Sequence, residues 1–139
     1  SIGTSYQELL EAAGGLIKPA KKMISGGPMM GFALFDLDVP TTKTTSALLC
    51  MTEDEASKYE TTACINCGRC VEACPPGQLV PSRLADFSAH GQKDMFEKWY
   101  GLECVECGSC SYVCPARRPL AQAVKTMKKD VLADKRKKK

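Results

Sequence analysis

The 139-residue sequence lacks several features that would place it in common functional classes. No stretch approaches the roughly 20 consecutive apolar residues of a transmembrane helix, so we expect a chain that does not cross the membrane. No Gly-Lys-Ser/Thr and no G-x-G-x-x-G follows a predicted strand, so Gly26 and Gly31 are interpreted as turn residues rather than phosphate binders. The only histidine, His90, lies at a predicted helix end, where interaction with the helix dipole is favoured over metal binding.

Cysteine, in contrast, is abundant: eight of the nine cysteines form two runs of identical spacing. Each run reads C-x2-C-x2-C-x3-C-P, first over residues 64–75 and again over residues 104–115. This is the spacing of bacterial ferredoxins that hold [4Fe–4S] clusters. One tight loop, eased by Gly68 or Gly108, lets three thiolates cover three corners of a cluster. The sequence therefore predicts two [4Fe–4S] clusters.

The fourth cysteine of each run is predicted to bind the cluster of the other run. This exchange occurs in two-cluster ferredoxins, and one helical turn from Cys70 to Cys74, a rise of about 6 Å, suits it. The predicted ligands are Cys64, Cys67, Cys70 and Cys114 for the first cluster, and Cys104, Cys107, Cys110 and Cys74 for the second. Two clusters held this close together indicate an electron relay, and no catalytic residue is predicted.

Structural zinc and disulfide bonds are alternative uses of these cysteines. Zinc usually takes two CxxC pairs, so each run would leave surplus thiols around a tetrahedral ion. Disulfide frameworks are typical of small secreted domains, whereas no signal peptide is recognised here. Cluster cysteines must stay reduced until they are loaded, which favours the cytosol. The ninth cysteine, Cys50, lies outside both runs and is interpreted as a small hydrophobic residue.

The charge of the chain is unevenly distributed. The formal net charge is +3, but residues 125–139 alone carry eight Lys or Arg against two Asp, a net +6 that leaves −3 elsewhere. Eight thiolates and two oxidised cluster cores lower the charge of the loaded protein to about −1. Nucleic-acid binding therefore gains no support from charge. Arg117 and Arg118 are interpreted as solvated charges.

Local patterns predict a small α+β part followed by a mainly helical part. The predicted elements are a helix capped by Thr4 or Ser5 and ended by Gly14 and Gly15, strands at 22–25, 32–35 and 44–51, and helices at 81–90, at 92–100 and after Pro115. Met95, Phe96 and Trp99 recur at helical spacing and are predicted to face the core. A core this small needs metal to supplement it.

Four segments together resemble the C subunit of the Rnf (Rsx) electron transport complex. They are residues 11–16 (EAAGGL), 25–32 (SGGPMMGF), 64–70 (CINCGRC) and 104–120 (CVECGSCSYVCPARRPL). The resemblance covers nearly the whole chain. It implies that residues 1–55 are the end of a soluble-ligand-binding β-grasp (SLBB) region, residues 56–134 a dicluster α-helical ferredoxin domain, and residues 135–139 a basic tail.

The resemblance also implies a function. The family's complex moves electrons between NADH and ferredoxin while it pumps sodium ions or protons. We therefore expect a peripheral electron carrier, bound to the other subunits at the cytoplasmic face of the cell membrane. The family's FMN- and NADH-binding region is missing, so the chain is expected to be a fragment without a substrate site. Its basic tail is expected to contact anionic membrane weakly.

Two other functions stay open from the sequence. The first is the iron–sulfur subunit of a quinone- or heterodisulfide-linked oxidoreductase, which uses the same helical ferredoxin but does not explain the GGPMMG segment at residues 26–31. The second is a zinc-bound interaction module whose basic tail binds nucleic acid. The colour and metal content of the purified protein distinguish the zinc module from both redox proteins.

Overall fold

The computed structural model of the protein describes residues 1–54 and 58–137. The chain divides into two compact units, residues 1–59 and residues 60–139. The boundary predicted between residues 55 and 56 lies outside the described residues, as do Lys138 and Lys139 of the predicted tail. The first unit combines helix and sheet and the second is mainly helical, which confirms the predicted fold class.

The first unit opens with helix α1 (Tyr6–Ala12), which is anchored to the sheet by Tyr6. The Ser5 side chain accepts a hydrogen bond from the Glu8 amide, and the Glu8 carboxylate accepts one from the Ser5 amide, so the predicted capping box is present. Tyr6 is buried, and its phenol lies 2.5 Å from the Ser25 hydroxyl and 3.1 Å from the Thr45 hydroxyl. This contact fixes α1 against the first strand.

The sheet of the first unit has three antiparallel strands in the order β2-β1-β3. They are β1 (Lys22–Ser25), β2 (Phe32–Leu34) and β3 (Leu48–Met51). The third strand begins at Leu48, so the prediction of a strand from residue 44 was wrong over its first half. Threonine hydroxyls form a turn there instead, with the Thr42 amide donating to Thr45 Oγ1 at 3.0 Å. Cys50 lies half-buried on β3.

The GGPMMG segment is the tight connection between β1 and β2. Gly26 has a φ of 96°, and the Gly31 amide donates to the Gly27 carbonyl at 2.8 Å. A Cβ atom on Gly31 would lie 2.5 Å from that same oxygen and 2.6 Å from the Ser25 carbonyl oxygen. Backbone crowding therefore requires glycine here, and the interpretation of these glycines as turn residues is confirmed.

The second unit packs short helices against one long helix. The elements are α2 (Arg69–Glu72), α3 (Pro81–Ala89), α4 (Lys93–Lys98), a 3₁₀ turn (Gly101–Glu103), α5 (Ser109–Tyr112) and α6 (Leu120–Lys137). The buried core consists of Leu79, Leu84, Phe96, Val124, Met127 and Val131. Its last three members lie on one face of α6, as the helical spacing predicts. The first three residues of the predicted tail continue this helix.

Helix α4 ends earlier than the sequence pattern predicts. Phe96 is fully buried, but Met95 and Trp99 are 36% and 39% exposed, so the prediction that they face the core was wrong. The helix stops at Lys98, and Tyr100 has a left-handed φ of 59° that turns the chain away. Trp99 still contacts Phe87 edge to face, with ring centroids 5.7 Å apart.

Polar contacts fix α6 against the rest of the unit. Lys93 pairs with Asp134 at 2.6 Å, and the Ser111 hydroxyl accepts a hydrogen bond from the Ala121 amide at 2.8 Å. The second contact satisfies an otherwise unpaired amide in the first turn of α6 and ties that turn to α5. His90 lies at the C-terminal end of α3, as predicted, with Nδ1 2.7 Å from the Asp86 carbonyl oxygen.

Candidate metal centres

The two cysteine runs adopt the same backbone structure, and equivalent residue numbers differ by 40. Before the second cysteine of each run, Asn66 and Glu106 have left-handed φ angles of 54° and 58°. After it, Gly68 and Gly108 have φ angles of 78° and 83°. Each glycine then begins a helix of one turn, α2 or α5. The identical spacing in sequence is therefore an identical loop in structure.

The structural repeat continues past the last cysteine of each run. The Gly77 amide donates to the Cys74 carbonyl at 3.0 Å, and the Arg117 amide donates to the Cys114 carbonyl at 3.1 Å. Gly77 and Arg117 both have left-handed backbones, with φ angles of 72° and 54°. The fourth cysteine of each run thus follows a one-turn helix and precedes a tight turn.

Each of two cavities is lined by four cysteines, three from one run and the last from the other. Cys64, Cys67, Cys70 and Cys114 line the first cavity, of about 210 Å³. Cys104, Cys107, Cys110 and Cys74 line the second, of about 20 Å³. The structure thus brings together the two sets named from sequence. The thiols surround these spaces without converging on a point: within residues 1–54 and 58–137, no three His, Cys, Asp or Glu side chains are grouped to hold a single metal ion.

The two cavities differ in exposure. Cys64 and Cys67 of the first cavity are exposed to solvent, whereas all four cysteines of the second are half-buried. The second cavity is closed by the hydrophobic core, because Leu84 and Val124 also line it. A metal group in the second cavity would consequently lie in a drier environment than one in the first.

Burial and hydrogen bonding shift the acidity of the cysteines in the second cavity. Burial raises the pKa of the Cys110 thiol to about 11 and also raises the pKa of Cys74. The pKa of Cys107 is lowered by its hydrogen bond to the Ser109 hydroxyl, at 3.4 Å. Burial thus disfavours thiolates at Cys110 and Cys74 unless a positive metal group offsets their charge.

Helix α6 holds the loop of the second cavity through its lysines. Lys128 Nζ donates to the Cys104 carbonyl at 2.6 Å, and Lys125 and Lys128 approach the Glu106 carboxylate at 3.8 and 3.7 Å. The Glu106 amide donates to Cys104 Sγ at 3.4 Å. An amide directed at a sulfur stabilises negative charge on a cysteine ligand. The loop is therefore positioned by charge and by backbone hydrogen bonding.

Arg118 lies at the first cavity and was misjudged from sequence as a solvated charge. It lines the cavity with Cys64, and Arg118 Nη2 donates to Asp86 Oδ1 at 2.7 Å. Asp86, and to a smaller extent Cys64, raises the pKa of the guanidinium. Asp86 is 32 positions away in the chain, so spacing alone did not indicate this pair. The sequence repeat did contain one indication that Arg118 is special. The equivalent position after the first run is Gln78, so only the second repeat carries a charge here.

Residues 63–118 match the 4Fe-4S dicluster domain family. The matched range contains all eight cysteines of the two runs. Among the described residues, none of the helices combines the length and the apolar character needed to cross a membrane.

Three relatives of the chain are named as C subunits of ion-translocating complexes. The C subunit of the Na⁺-translocating ferredoxin:NAD⁺ oxidoreductase complex of Acetobacterium woodii is 42% identical over 136 residues, 98% of this chain and 30% of the relative. The C subunit of the proton-translocating complex of Clostridium ljungdahlii is 42% identical over 97 residues, 70% of this chain and 20% of the relative. The C subunit of the ion-translocating oxidoreductase complex of Methanosarcina acetivorans is 39% identical over 134 residues, 96% of this chain and 30% of the relative.

These relatives confirm the resemblance inferred from the sequence. The chain is homologous to the C subunits of Rnf-type complexes along almost its entire length, and it spans 30% or less of the three relatives named above. The match to the 4Fe-4S dicluster domain lies within this region of homology.

Proposed function

We propose that this chain holds two [4Fe–4S] clusters and carries electrons within a membrane-associated ferredoxin:NAD⁺ oxidoreductase complex coupled to ion translocation. The observation that carries the proposal is the pair of cavities, each lined by four cysteines drawn from both runs. The proposed ligands are Cys64, Cys67, Cys70 and Cys114 in the first cavity, and Cys104, Cys107, Cys110 and Cys74 in the second. The names of the relatives support the kind of complex.

The donor set of each cavity fits the proposed group. A [4Fe–4S] cluster is held by four cysteine thiolates, and each cavity offers four. When bound, such a cluster accepts and releases one electron. The protein's contribution is to hold the thiolates, to exclude water and to direct amides at sulfur, as the Glu106 amide does toward Cys104 Sγ.

Helices α2 and α5 join the two proposed sites. Cys70, in α2, lines the first cavity, and Cys74, two positions after its end, lines the second. Conversely, Cys110, in α5, lines the second cavity, and Cys114, two positions after the end of α5, lines the first. A separation of one helical turn, about 6 Å of rise, keeps two sites close enough for direct electron exchange. This arrangement supports a relay rather than two independent sites.

The other subunits of the complex are the proposed partners, at the cytoplasmic face of the membrane. We propose that FMN and NADH bind in the part of the C subunit that this chain does not span, and that no substrate binds to the chain itself. The iron–sulfur subunit of a quinone- or heterodisulfide-linked enzyme is less well supported. The match to the Acetobacterium woodii protein covers 98% of the chain and so includes the first unit as well as the cysteine loops.

Metal content tests the proposed function directly. Anaerobically purified protein is expected to be brown, with broad absorption near ~400 nm that bleaches on reduction and about eight irons and eight sulfides per chain. Elemental analysis and absorption spectra provide the measurement. Colourless protein that contains zinc alone would refute the ferredoxin function and support the zinc module.

We also propose a weak contact between the C-terminal basic residues and anionic membrane. Lys135 already pairs with Glu97 at 2.5 Å, whereas the next two residues, Arg136 and Lys137, have exposed side chains. Each basic residue near an anionic surface contributes about 1 kcal/mol. The double variant Arg136→Gln/Lys137→Gln is therefore expected to weaken binding to phosphatidylserine vesicles roughly tenfold or more at low salt, measured by co-sedimentation.

A matched control removes two charges from the other unit. Lys18→Gln/Lys43→Gln lowers the net charge by the same two units, at exposed positions outside helix α6. It is expected to leave vesicle binding near that of the unmodified protein. Equal weakening by both double variants would mean that net charge alone governs the contact, and no effect of the Arg136 and Lys137 changes would mean that these residues only solubilise the protein.

A further inference from the structure

The two cavities differ in charge although their loops share one backbone. Arg83 and Arg118 line the first cavity. Among the described residues, no arginine or lysine lines the second, where Glu106 is the charged residue. Gln78, the counterpart of Arg118 in the repeat, is exposed and does not line the second cavity. Arg118 is therefore a charged residue that only one of the two repeats has, and it lines the cavity of a proposed metal site.

The Arg118 side chain is held in place and keeps its charge. Its side chain is only 21% exposed, and Nη2 donates to Asp86 Oδ1, on α3, at 2.7 Å. A guanidinium does not lose its proton in proteins. A charge that is largely removed from water acts on its neighbours more strongly than a solvated one. Arg118 thus provides a fixed positive charge at the wall of the first cavity.

The charged group in the wall of the second cavity is a carboxylate. The Glu106 carboxylate lies between Lys125 and Lys128, at 3.8 and 3.7 Å. Lys128 also donates to the Cys104 carbonyl and not to a sulfur. These groups position the loop, but the two lysines do not line the cavity, just as Asp86 does not line the first. The charge in the cavity wall is therefore negative at the second cavity and positive at the first.

We propose that Arg118 stabilises the reduced state of the cluster held by Cys64, Cys67, Cys70 and Cys114, so that the first site has the higher reduction potential of the two. The inference rests on the proposed function. Reduction adds one electron at the site, with no bond made or broken, and the guanidinium attracts the added negative charge. Net charge near a cluster is one of the factors that set its potential. Electrons are then held preferentially at the more exposed site, where Cys64 and Cys67 meet solvent.

A redox titration of the cluster-loaded full chain tests this assignment. Dithionite is the reductant, and electron paramagnetic resonance follows each cluster separately. Arg118→Gln is expected to lower one midpoint by a tenfold change in the reduction equilibrium, about 59 mV for a one-electron couple, and to leave the other midpoint unchanged. Arg118→Lys keeps the charge and is expected to retain most of the original midpoint. The signal that shifts should be the one that Cys67→Ala removes.

Asp86→Asn is the matched variant that separates charge from structure. It breaks the same ion pair as Arg118→Gln but removes a negative charge, so it is expected to raise the midpoint of the first site. A purely structural role would move the midpoint in one direction for both variants, and that result would overturn the proposal. If Arg118→Gln cannot hold the cluster, Asp86→Asn decides: a raised midpoint supports the proposal, and an unchanged or lowered one contradicts it.

The outcome also distinguishes this inference from the proposed function. Full iron content with unchanged midpoints in Arg118→Gln would overturn the role of Arg118 and leave the two clusters standing. A shift confined to the signal that survives Cys67→Ala would also overturn it. Absence of iron from the unmodified protein would overturn the proposed function, and the inference with it.

Discussion

Replacement of Cys114 by alanine is expected to remove the cluster held by the first three cysteines of the other run. Cys114 lines the cavity of Cys64, not that of Cys104. Loss of one thiolate from a set of four leaves an iron without its protein ligand, so iron content is expected to fall toward half. Replacement of Cys74 is expected to have the reciprocal effect on the second cluster.

Double variants identify which cluster each cysteine serves. Cys114→Ala combined with Cys67→Ala affects one cluster twice, so about half of the iron should remain. Cys114→Ala combined with Cys107→Ala affects both clusters, so almost none should remain. The opposite pattern would mean that each run closes its own cluster and that the exchange of fourth ligands is wrong.

Cys50→Ala is the natural control for these variants. Cys50 lies on β3 in the first unit, outside both cysteine cavities. Its replacement is expected to leave iron, sulfide and the visible spectrum unchanged. Iron loss in Cys50→Ala equal to that in Cys114→Ala would show that the assay reports general instability rather than ligation.

Removal of the clusters is expected to unfold the second unit over residues 60–120. Helices α2 and α5 have four residues each and α4 has six, and isolated helices below about 12 residues are marginal in water. The clusters would link α2, α5 and the loops beside them through the eight thiolates, so their binding free energy would be part of the folding free energy. Iron removal by a chelator under reducing conditions should therefore collapse amide dispersion in this range.

The first unit supplies an internal reference for that experiment. It contains no cysteine of either run, and the amide signals of residues 1–54 are expected to be the same before and after iron removal. The 18-residue helix α6 is long enough to keep partial helicity after the loops unfold. Well-dispersed amide signals over residues 60–120 in metal-free protein would contradict the prediction.

Short-range patterns were the most informative part of the sequence. The capping box at Ser5 and Glu8 and the strand at Lys22–Ser25 were predicted where the structure has them. The cysteine spacing named the two thiol sets that line the cavities. Each of these features depends on residues a few positions apart, or on a repeat that is visible in the sequence.

The misses depend on interactions that hydrophobic periodicity and strand propensity do not encode. Residues 44–47 have a strand-like pattern, but the Thr45 hydroxyl accepts a hydrogen bond from the Thr42 amide at 3.0 Å, and such side-chain-to-backbone contacts compete with a strand ladder. Trp99 has the spacing of a core residue, but α4 ends before it. Arg118 was interpreted as solvated because its partner, Asp86, lies 32 positions away in the sequence. A long-range contact decides the last case, whereas local hydrogen bonding and the local end of a helix decide the first two.

The shared backbone of the two loops has a consequence for how such a chain could arise by duplication. With the proposed ligands, one copy of the cysteine loop could not complete a cluster, but two copies associated symmetrically would each donate the last cysteine to the other. Fusion into a single chain removes the need for the copies to stay identical. The difference between Gln78 and Arg118 is a change that a symmetric dimer could not make in one copy alone.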